Sequence, residues 1–103
     1  MEPMYMNTAA LIGVVNADTL DVEVNLGYGV FLKIRVQLHG INVPDDDNEE
    51  AKAFVFGFCS ADDFILKTFG TDKYGRYVAE LWRDSKCLNT LMVDRKLAEK
   101  YEG

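Results

Sequence analysis

Apolar and polar residues alternate along the first third of the chain in the pattern of β-strands. An apolar run over residues 9–15 predicts a first strand, and the alternation over residues 18–26 predicts a second, half-buried strand. A third strand is predicted over residues 30–38, where Leu, Ile and Val occupy one face and Lys, Arg and Gln the other. The glycine-flanked turn at residues 27–29 joins the second and third strands into a hairpin. Residues 1–7 are expected to form a loose leader.

The pattern changes in the middle of the chain. Acidic residues between Asp45 and Glu50 precede an apolar segment, and negative charge stabilises a helix N-terminus, so a helix is predicted over residues 48–59. Apolar runs over residues 64–69 and 76–82, separated by a glycine-containing turn, predict a second hairpin. Apolar residues at near-helical spacing over residues 88–101 predict a second helix.

The predicted order is three strands, a helix, two strands and a second helix. This order is typical of the oligonucleotide/oligosaccharide-binding (OB) fold. Short strands that each have one apolar face are stabilised by closure, because closure leaves no sheet edge exposed. The predicted fold class is therefore α+β and mostly β, a five-stranded OB-fold barrel with two helices, in a single domain over residues 1–103.

Composition and charge limit the kinds of partner. The chain has 103 residues, of which 49% are apolar, so it forms one small core and is not intrinsically disordered. Its net charge of −6 excludes a nonspecific DNA-coating surface, although a few converging cations would still make a local nucleic-acid site.

Other features of the sequence indicate a cytoplasmic protein. The chain has no apolar run long enough to span a membrane, and its first residues lack the pattern of a signal peptide. Cys59 and Cys87 have neither CxxC spacing nor a neighbouring histidine, so we expect reduced core thiols and no zinc site.

Three ordered stretches together resemble the staphylococcal nuclease (thermonuclease) family. They are Asn16–Leu20, Leu38–Asp45 and Thr71–Arg76, of which the last contains Asp-Lys-Tyr-Gly-Arg. Residues 50–54 resemble the first helix of the family, and Leu97–Tyr101 resembles its Leu-Ala-x-x-Tyr segment. The resemblance implies a five-stranded barrel that hydrolyses DNA or RNA phosphodiester bonds with the help of calcium.

The resemblance implies a metal site in which a hard cation bound by oxygen atoms polarises the phosphate. Asp18 matches the first metal ligand, Asn42 stands where the family has a second metal-binding aspartate, and the carbonyl of Val43 matches a backbone ligand. Calcium is the expected ion, with magnesium as the alternative. Asp18 also has the parity of the apolar positions in the second strand, so it is expected on their inward face.

The same resemblance assigns the catalytic and binding positions. Asp45 stands where the family has a glutamate that activates water, Gln37 replaces the first catalytic arginine, and Arg76 matches the second. Arg35 lies two residues before Gln37 on the same strand face and is a candidate substitute for the missing guanidinium. Positions that match contacts to the nucleotide are Lys73, Tyr74 and Tyr101.

Each of these positions also has a structural interpretation. The acidic run over residues 45–50 is either a compensating metal site or a solvated helix start, and Arg76 either faces phosphate or pairs with Asp18 or Asp45. Lys73 and Tyr74 are either contacts to the nucleotide or a solvated turn.

Two functions therefore remain open. The first is a weak, calcium-dependent nuclease. The second is an inactive barrel that binds single-stranded nucleic acid or a protein partner.

Overall fold

The computed structural model of the protein describes residues 3–44 and 48–101. The strands in this part of the chain are β1 (Tyr5–Asn16), β2 (Thr19–Gly27), β3 (Val30–Leu38), β4 (Ile41–Asn42), β5 (Phe64–Thr71), β6 (Tyr77–Arg83), β7 (Lys86–Cys87) and β8 (Glu99–Lys100). The helices are α1 (Glu49–Ser60) and α2 (Leu88–Asp94).

The five long strands close into a barrel. Antiparallel pairing joins them in the order β3-β2-β1-β5-β6, and a parallel pairing between β3 and β6 closes the ring. This closure consists of three residue pairs, which are Val36 with Tyr77, Gln37 with Val78 and Leu38 with Ala79. The predicted five-stranded, OB-like barrel with two helices is confirmed.

The inward-facing positions of the strands form the core, as the alternation predicts. β2 contributes Leu20, Val22 and Val24, and β3 contributes Val36 and Leu38, all of them buried. The buried positions on α1 are Ala51, Val55 and Cys59. Burial raises the pKa of the Cys59 thiol to about 12, so this thiol is a core residue that does not ionise near neutral pH.

The first strand begins four residues before the apolar run that predicts it. β1 begins at Tyr5, within the expected leader, and pairs with β5 from Tyr5 opposite Thr68 to Ala9 opposite Phe64. The Met4 N–H extends this pairing with a 2.6 Å hydrogen bond to the Thr68 carbonyl. Residues 5–8 lack an alternating pattern, so nothing in the sequence indicated this strand. They are extended because they pair with β5.

The helix predicted over residues 88–101 is wrong beyond Asp94. α2 ends there, Lys96 has a positive φ of 61°, and the N–H groups of Leu97 and Ala98 both reach back to the Met92 carbonyl. This reversal lets β8 pair with β4 and leaves Ala98 buried. The apolar spacing indicated a longer helix because Leu97 packs against the core from this reversed segment, as it would from a continued helix.

The described helices include none that is both long enough and apolar enough to cross a membrane.

Side chains form hydrogen bonds with the free backbone groups at the two ends of α1. The Asn48 side-chain oxygen accepts hydrogen bonds from the N–H groups of Glu50 (2.9 Å) and Ala51 (3.2 Å), as expected for an N-cap. At the other end the Arg83 guanidinium donates to the carbonyls of Phe58 and Asp62. The helix predicted over residues 48–59 is thus confirmed within one residue at each end.

Removal of the N-cap should destabilise the protein. We expect Asn48→Ala to lower the free energy of unfolding by about 1 kcal/mol, because two helix N–H groups lose their acceptor. Urea denaturation followed by circular dichroism measures this change. Asn48→Asp keeps an acceptor oxygen and should stay close to wild type, and an Ala variant as stable as wild type would contradict the capping role.

Candidate functional site

The loop between β5 and β6 is built around the carboxylate of Asp72. One carboxylate oxygen accepts the N–H groups of Tyr74 (2.8 Å) and Arg76 (3.0 Å), which is the pattern of an Asx turn. Gly75 takes a φ of +80°, which allows the chain to reverse. The Asp72 carboxylate therefore fixes the backbone that presents Tyr74 and Arg76.

The Arg76 guanidinium lies between β2 and this loop. Its Nε donates to the second oxygen of Asp72 at 2.7 Å, and another nitrogen donates to the Thr19 hydroxyl at 3.3 Å. The Thr19 hydroxyl in turn donates to the Asp18 carboxylate at 3.1 Å. We call Asp18, Thr19, Asp72 and Arg76 the Arg76 cluster.

The cluster partly matches what the family resemblance implies. Asp18 and Arg76 are brought together through the hydroxyl of Thr19. Gln37 lies directly opposite Thr19 in the register of β2 and β3, so it lies beside the same cluster. Among the described residues Arg76 forms its ion pair with Asp72 and not with Asp18, and the alternative pairing with Asp45 lies outside the described residues.

The prediction that Asp18 shares the inward face of β2 is wrong. β2 begins at Thr19, and Asp18 lies in the turn before it, where it is partly exposed. Its carbonyl accepts the N–H of Leu38 at 2.9 Å, so the turn is attached to β3 by its backbone. The alternation of inward and outward side chains holds only within the strand, so it does not place Asp18, which precedes it.

Arg35 does not reach toward the cluster. Its guanidinium makes two hydrogen bonds, of 2.8 and 3.2 Å, to the carboxylate of Asp21, the residue opposite it on β2. The hydrogen bond from Arg35 lowers the pKa of Asp21, so both groups stay charged at neutral pH. The proposed substitution of Arg35 for the missing guanidinium is therefore not supported by the geometry.

A cleft of about 900 Å³ opens next to the Arg76 cluster. Gln37 and Asp72 line it, and so does Tyr101, which is tied to the rim by a 2.8 Å hydrogen bond from its N–H to the Gly40 carbonyl. Buried Asn89 supports the cleft by donating to the carbonyls of His39 (2.8 Å) and Ala79 (3.1 Å). The structure thus groups Gln37, Tyr101 and the Arg76 cluster in one region.

The charge of this cleft does not favour a polyanion. Glu80 and Asp94 line it along with Asp72, whereas Lys100 is the one Lys or Arg in its described lining. Such a surface repels an extended phosphate chain. Cationic groups are concentrated at its edge, in the loop that holds Arg76.

Tyr74 and Lys73 form the exposed tip of that loop. The Tyr74 side chain is 71% exposed, and the Lys73 Nζ lies 5.2 Å from the centroid of its ring. The Arg76 guanidinium carbon lies 5.4 Å from the same centroid. The tip is therefore an aromatic ring flanked by two cations.

Two of the expected metal ligands, Asn42 and Val43, lie at β4. Asn42 is exposed on β4, where its backbone pairs with Glu99, and Val43 is buried. Asp45 lies outside the described residues. Calcium takes about six to eight oxygen ligands, several of them carboxylates. In the described ranges no group of three His, Cys, Asp or Glu side chains is placed to hold a metal.

Sequence reasoning missed three residues that organise the site. Asp72 and Thr19 lie inside the motifs that resemble the family, but the resemblance assigns neither of them a role. For Asn89 the apolar spacing indicates only a place in the second helix. Asp72 had a signal in the sequence, because an aspartate followed four residues later by arginine around a glycine turn is suited to pair with it. Thr19 and Asn89 had none, because Arg76, which contacts Thr19, and His39, which contacts Asn89, are both distant from them in sequence.

Comparison with known proteins shows the family to which the chain belongs. A family model described as staphylococcal nuclease homologue matches residues 35–103, about two thirds of the chain. The match includes Gln37, Arg76 and the cleft, and the protein belongs to this nuclease-type family. A search of curated proteins finds no match.

The ionisation of Asp72 should make stability depend on pH. Burial raises the pKa of Asp72, but hydrogen bonds from the N–H groups of Arg76 and Tyr74 and from the Arg76 guanidinium outweigh it, and the pKa lies below 3.8. The stabilisation is therefore complete above the ordinary pKa of 3.8 and is lost as pH falls through the lowered value in the folded protein. Asp72→Asn should lower the Tm at neutral pH, and its difference from wild type should shrink as pH falls.

Thermal unfolding between about pH 7 and pH 3 tests this linkage. The control is Asp63→Asn, which neutralises an exposed carboxylate outside the loop. A difference between Asp72→Asn and wild type that stays the same at every pH would contradict the assignment.

Proposed function

We propose that this protein binds short segments of single-stranded nucleic acid at the β5–β6 loop and has little hydrolytic activity. Membership of the nuclease-type family supports the class of ligand. The arrangement of the loop and the Arg76 cluster supports binding over hydrolysis. The binding module is thus the preferred interpretation of the two that the sequence left open.

The proposal depends on which side chains occupy the two positions where the family has catalytic arginines. Gln37 occupies the first position, and a neutral amide supplies no cationic fork to phosphate. Arg76 occupies the second, and its Nε is already paired with Asp72 at 2.7 Å. Loss of a donor to the transition state typically reduces the rate by about 10²–10³.

The loop tip supports binding. An exposed ring provides a face on which a base stacks, and the ammonium group of Lys73 beside the ring attracts the adjoining phosphate. The acidic cleft and the net charge of −6 oppose long polyanions. The expected complex is therefore weak, confined to a few nucleotides and sensitive to salt.

A second candidate is weak, calcium-dependent hydrolysis. The contact of Asp18 with Thr19, which also meets Arg76, supports it, because an acid and a guanidinium then lie at one site. In this candidate Asp18, Asn42 and the Val43 carbonyl bind calcium, or magnesium in its place, and Asp45 activates water. The cation requirement and the cytoplasmic location both remain predictions.

Binding should depend on the ring of Tyr74. We expect Tyr74→Ala to weaken the affinity for a fluorescent single-stranded DNA or RNA oligonucleotide by about 5- to 100-fold, the effect of losing one stacked base. Fluorescence anisotropy at low salt measures it. Tyr28→Ala is the matched control, because Tyr28 is a fully exposed tyrosine at the tip of a different hairpin.

Equal affinity of Tyr74→Ala and wild type would reject the loop as the binding site. An equal loss in both tyrosine variants would indicate a nonspecific effect.

Hydrolysis should be limited by the missing arginine. We expect Gln37→Arg to raise the cleavage rate of labelled single-stranded DNA by about 10-fold or more, because a second cation then lies beside the Arg76 cluster. Gel electrophoresis with calcium, with magnesium and with chelator gives the rate and its dependence on the cation. Ser60→Arg adds a cation at the exposed end of α1 and should leave the rate unchanged.

Cleavage that survives Arg76→Ala or the chelator would contradict a family-type site. An unchanged rate in Gln37→Arg would show that the first guanidinium position is not what limits turnover.

A further inference from the structure

β3 has an open edge. It pairs with β2 from Val30 to Gln37, but with β6 only from Val36, because β6 begins at Tyr77. Among the described residues, the stretch over residues 30–35 therefore has no strand on its second side. The barrel is closed at the Gln37 end and open beside this stretch, which we call the β3 edge.

The backbone groups that face outward from the β3 edge follow from the hydrogen-bond pattern. The N–H of Leu38 points to β2, where it donates to the Asp18 carbonyl at 2.9 Å, whereas the N–H of His39 points to β6 and donates to the Ala79 carbonyl at 2.8 Å. Because this direction alternates along an antiparallel strand, odd-numbered residues face the open side. The free groups are the N–H and C=O of Phe31 and Lys33 and the N–H of Arg35, because the parallel pairing of Val36 with Tyr77 uses the C=O of Arg35.

The side chains of the β3 edge are unusually apolar for an exposed strand. Val30, Phe31 and Leu32 are 51%, 56% and 47% exposed. Leu32 and Ile34 also line a cavity of about 370 Å³ at the mouth of the barrel. Exposed apolar edges with free backbone groups are suited to pairing with another strand.

We propose that the β3 edge pairs antiparallel with the β3 edge of a second copy of this chain, with the two-fold axis at Leu32. In this register Leu32 faces Leu32 of the other copy, Val30 faces Ile34, and Phe31 faces Lys33. Phe31 and Lys33 then form the hydrogen-bonded pairs, twice by symmetry, because both present their backbone groups to the open side.

Charge disfavours two of the other registers that the backbone allows. Pairing centred on Lys33 would put two lysines opposite each other, and pairing centred on Ile34 would put Lys33 opposite Arg35. Like charges directly opposite each other are destabilising. Pairing centred on Phe31 would join only Val30 with Leu32 on the inner face and would leave Lys33 opposite Gly29. The register centred on Leu32 also brings Ile34 into the apolar contact and places Lys33 against an aromatic ring on the outer face.

The self-complementarity of the strand favours a second copy over a foreign strand. One sequence supplies both halves of the apolar ladder and both halves of the Phe31–Lys33 pairs, as a two-fold interface requires. The contact is small, so the dimer should dissociate on dilution. This surface contains no residue of the β5–β6 loop, and the proposal does not depend on nucleic-acid binding.

Sedimentation velocity over a range of concentrations tests the proposal. We expect wild type to shift from the 11.6 kDa monomer to twice that mass as concentration rises. Lys33→Pro removes one N–H from the open side and keeps every N–H that β2 uses, so it should remain monomeric. Lys33→Ala is the matched control, since it removes the same charge but keeps the N–H, and it should still dimerise.

A second variant covers the case in which proline disturbs folding. Leu32→Glu places two carboxylates at the two-fold axis and should also be monomeric, with circular dichroism unchanged from wild type. Hydrogen exchange at Phe31 and Lys33 should slow in the dimer.

A wild type that stays monomeric at its highest soluble concentration overturns the proposal. So does a dimer that persists in the folded variants. Protection of the edge amides only by a different protein would also overturn it, in favour of a heterologous strand.

Discussion

The short parallel pairing between β3 and β6 is the constraint on which the rest of the structure depends. Its three residue pairs close the barrel at Gln37 and bring the start of β6 against the end of β3. The β5–β6 loop then lies over β2, where Arg76 reaches Thr19. Because β6 begins only at Tyr77, the first part of β3 pairs with β2 but has no described strand on its other side, so one feature creates both the site and the open edge.

Asp72 links the stability of this site to its chemistry. The carboxylate holds the loop through two backbone N–H groups and neutralises the guanidinium of Arg76. A positioned arginine is useful to bind phosphate, but an arginine that is already paired stabilises developing charge less well. Together with the neutral amide of Gln37 opposite Thr19, this pairing is the reason for proposing that the site binds a ligand more than it hydrolyses one.

The sequence was most informative where a local pattern also decides the structure. Alternation predicted which side chains are buried in β2 and in the last part of β3, because a strand that covers a core presents every second residue to it. The acidic residues before an apolar segment predicted α1, since negative charge stabilises a helix N-terminus. Ordered motifs predicted the family and the proximity of Asp18 to Arg76, which a hydroxyl between them now joins.

The amino-acid sequence by itself therefore determined the barrel, the central helix and the family, because these follow from periodicity, capping and ordered motifs. Only the tertiary structure decided the partners of the charged groups. Arg35 pairs with Asp21 because strand register places them opposite each other, and the tail leaves its helix because β8 pairs with β4. Such choices depend on residues that are distant along the chain, where sequence spacing carries no information about contact.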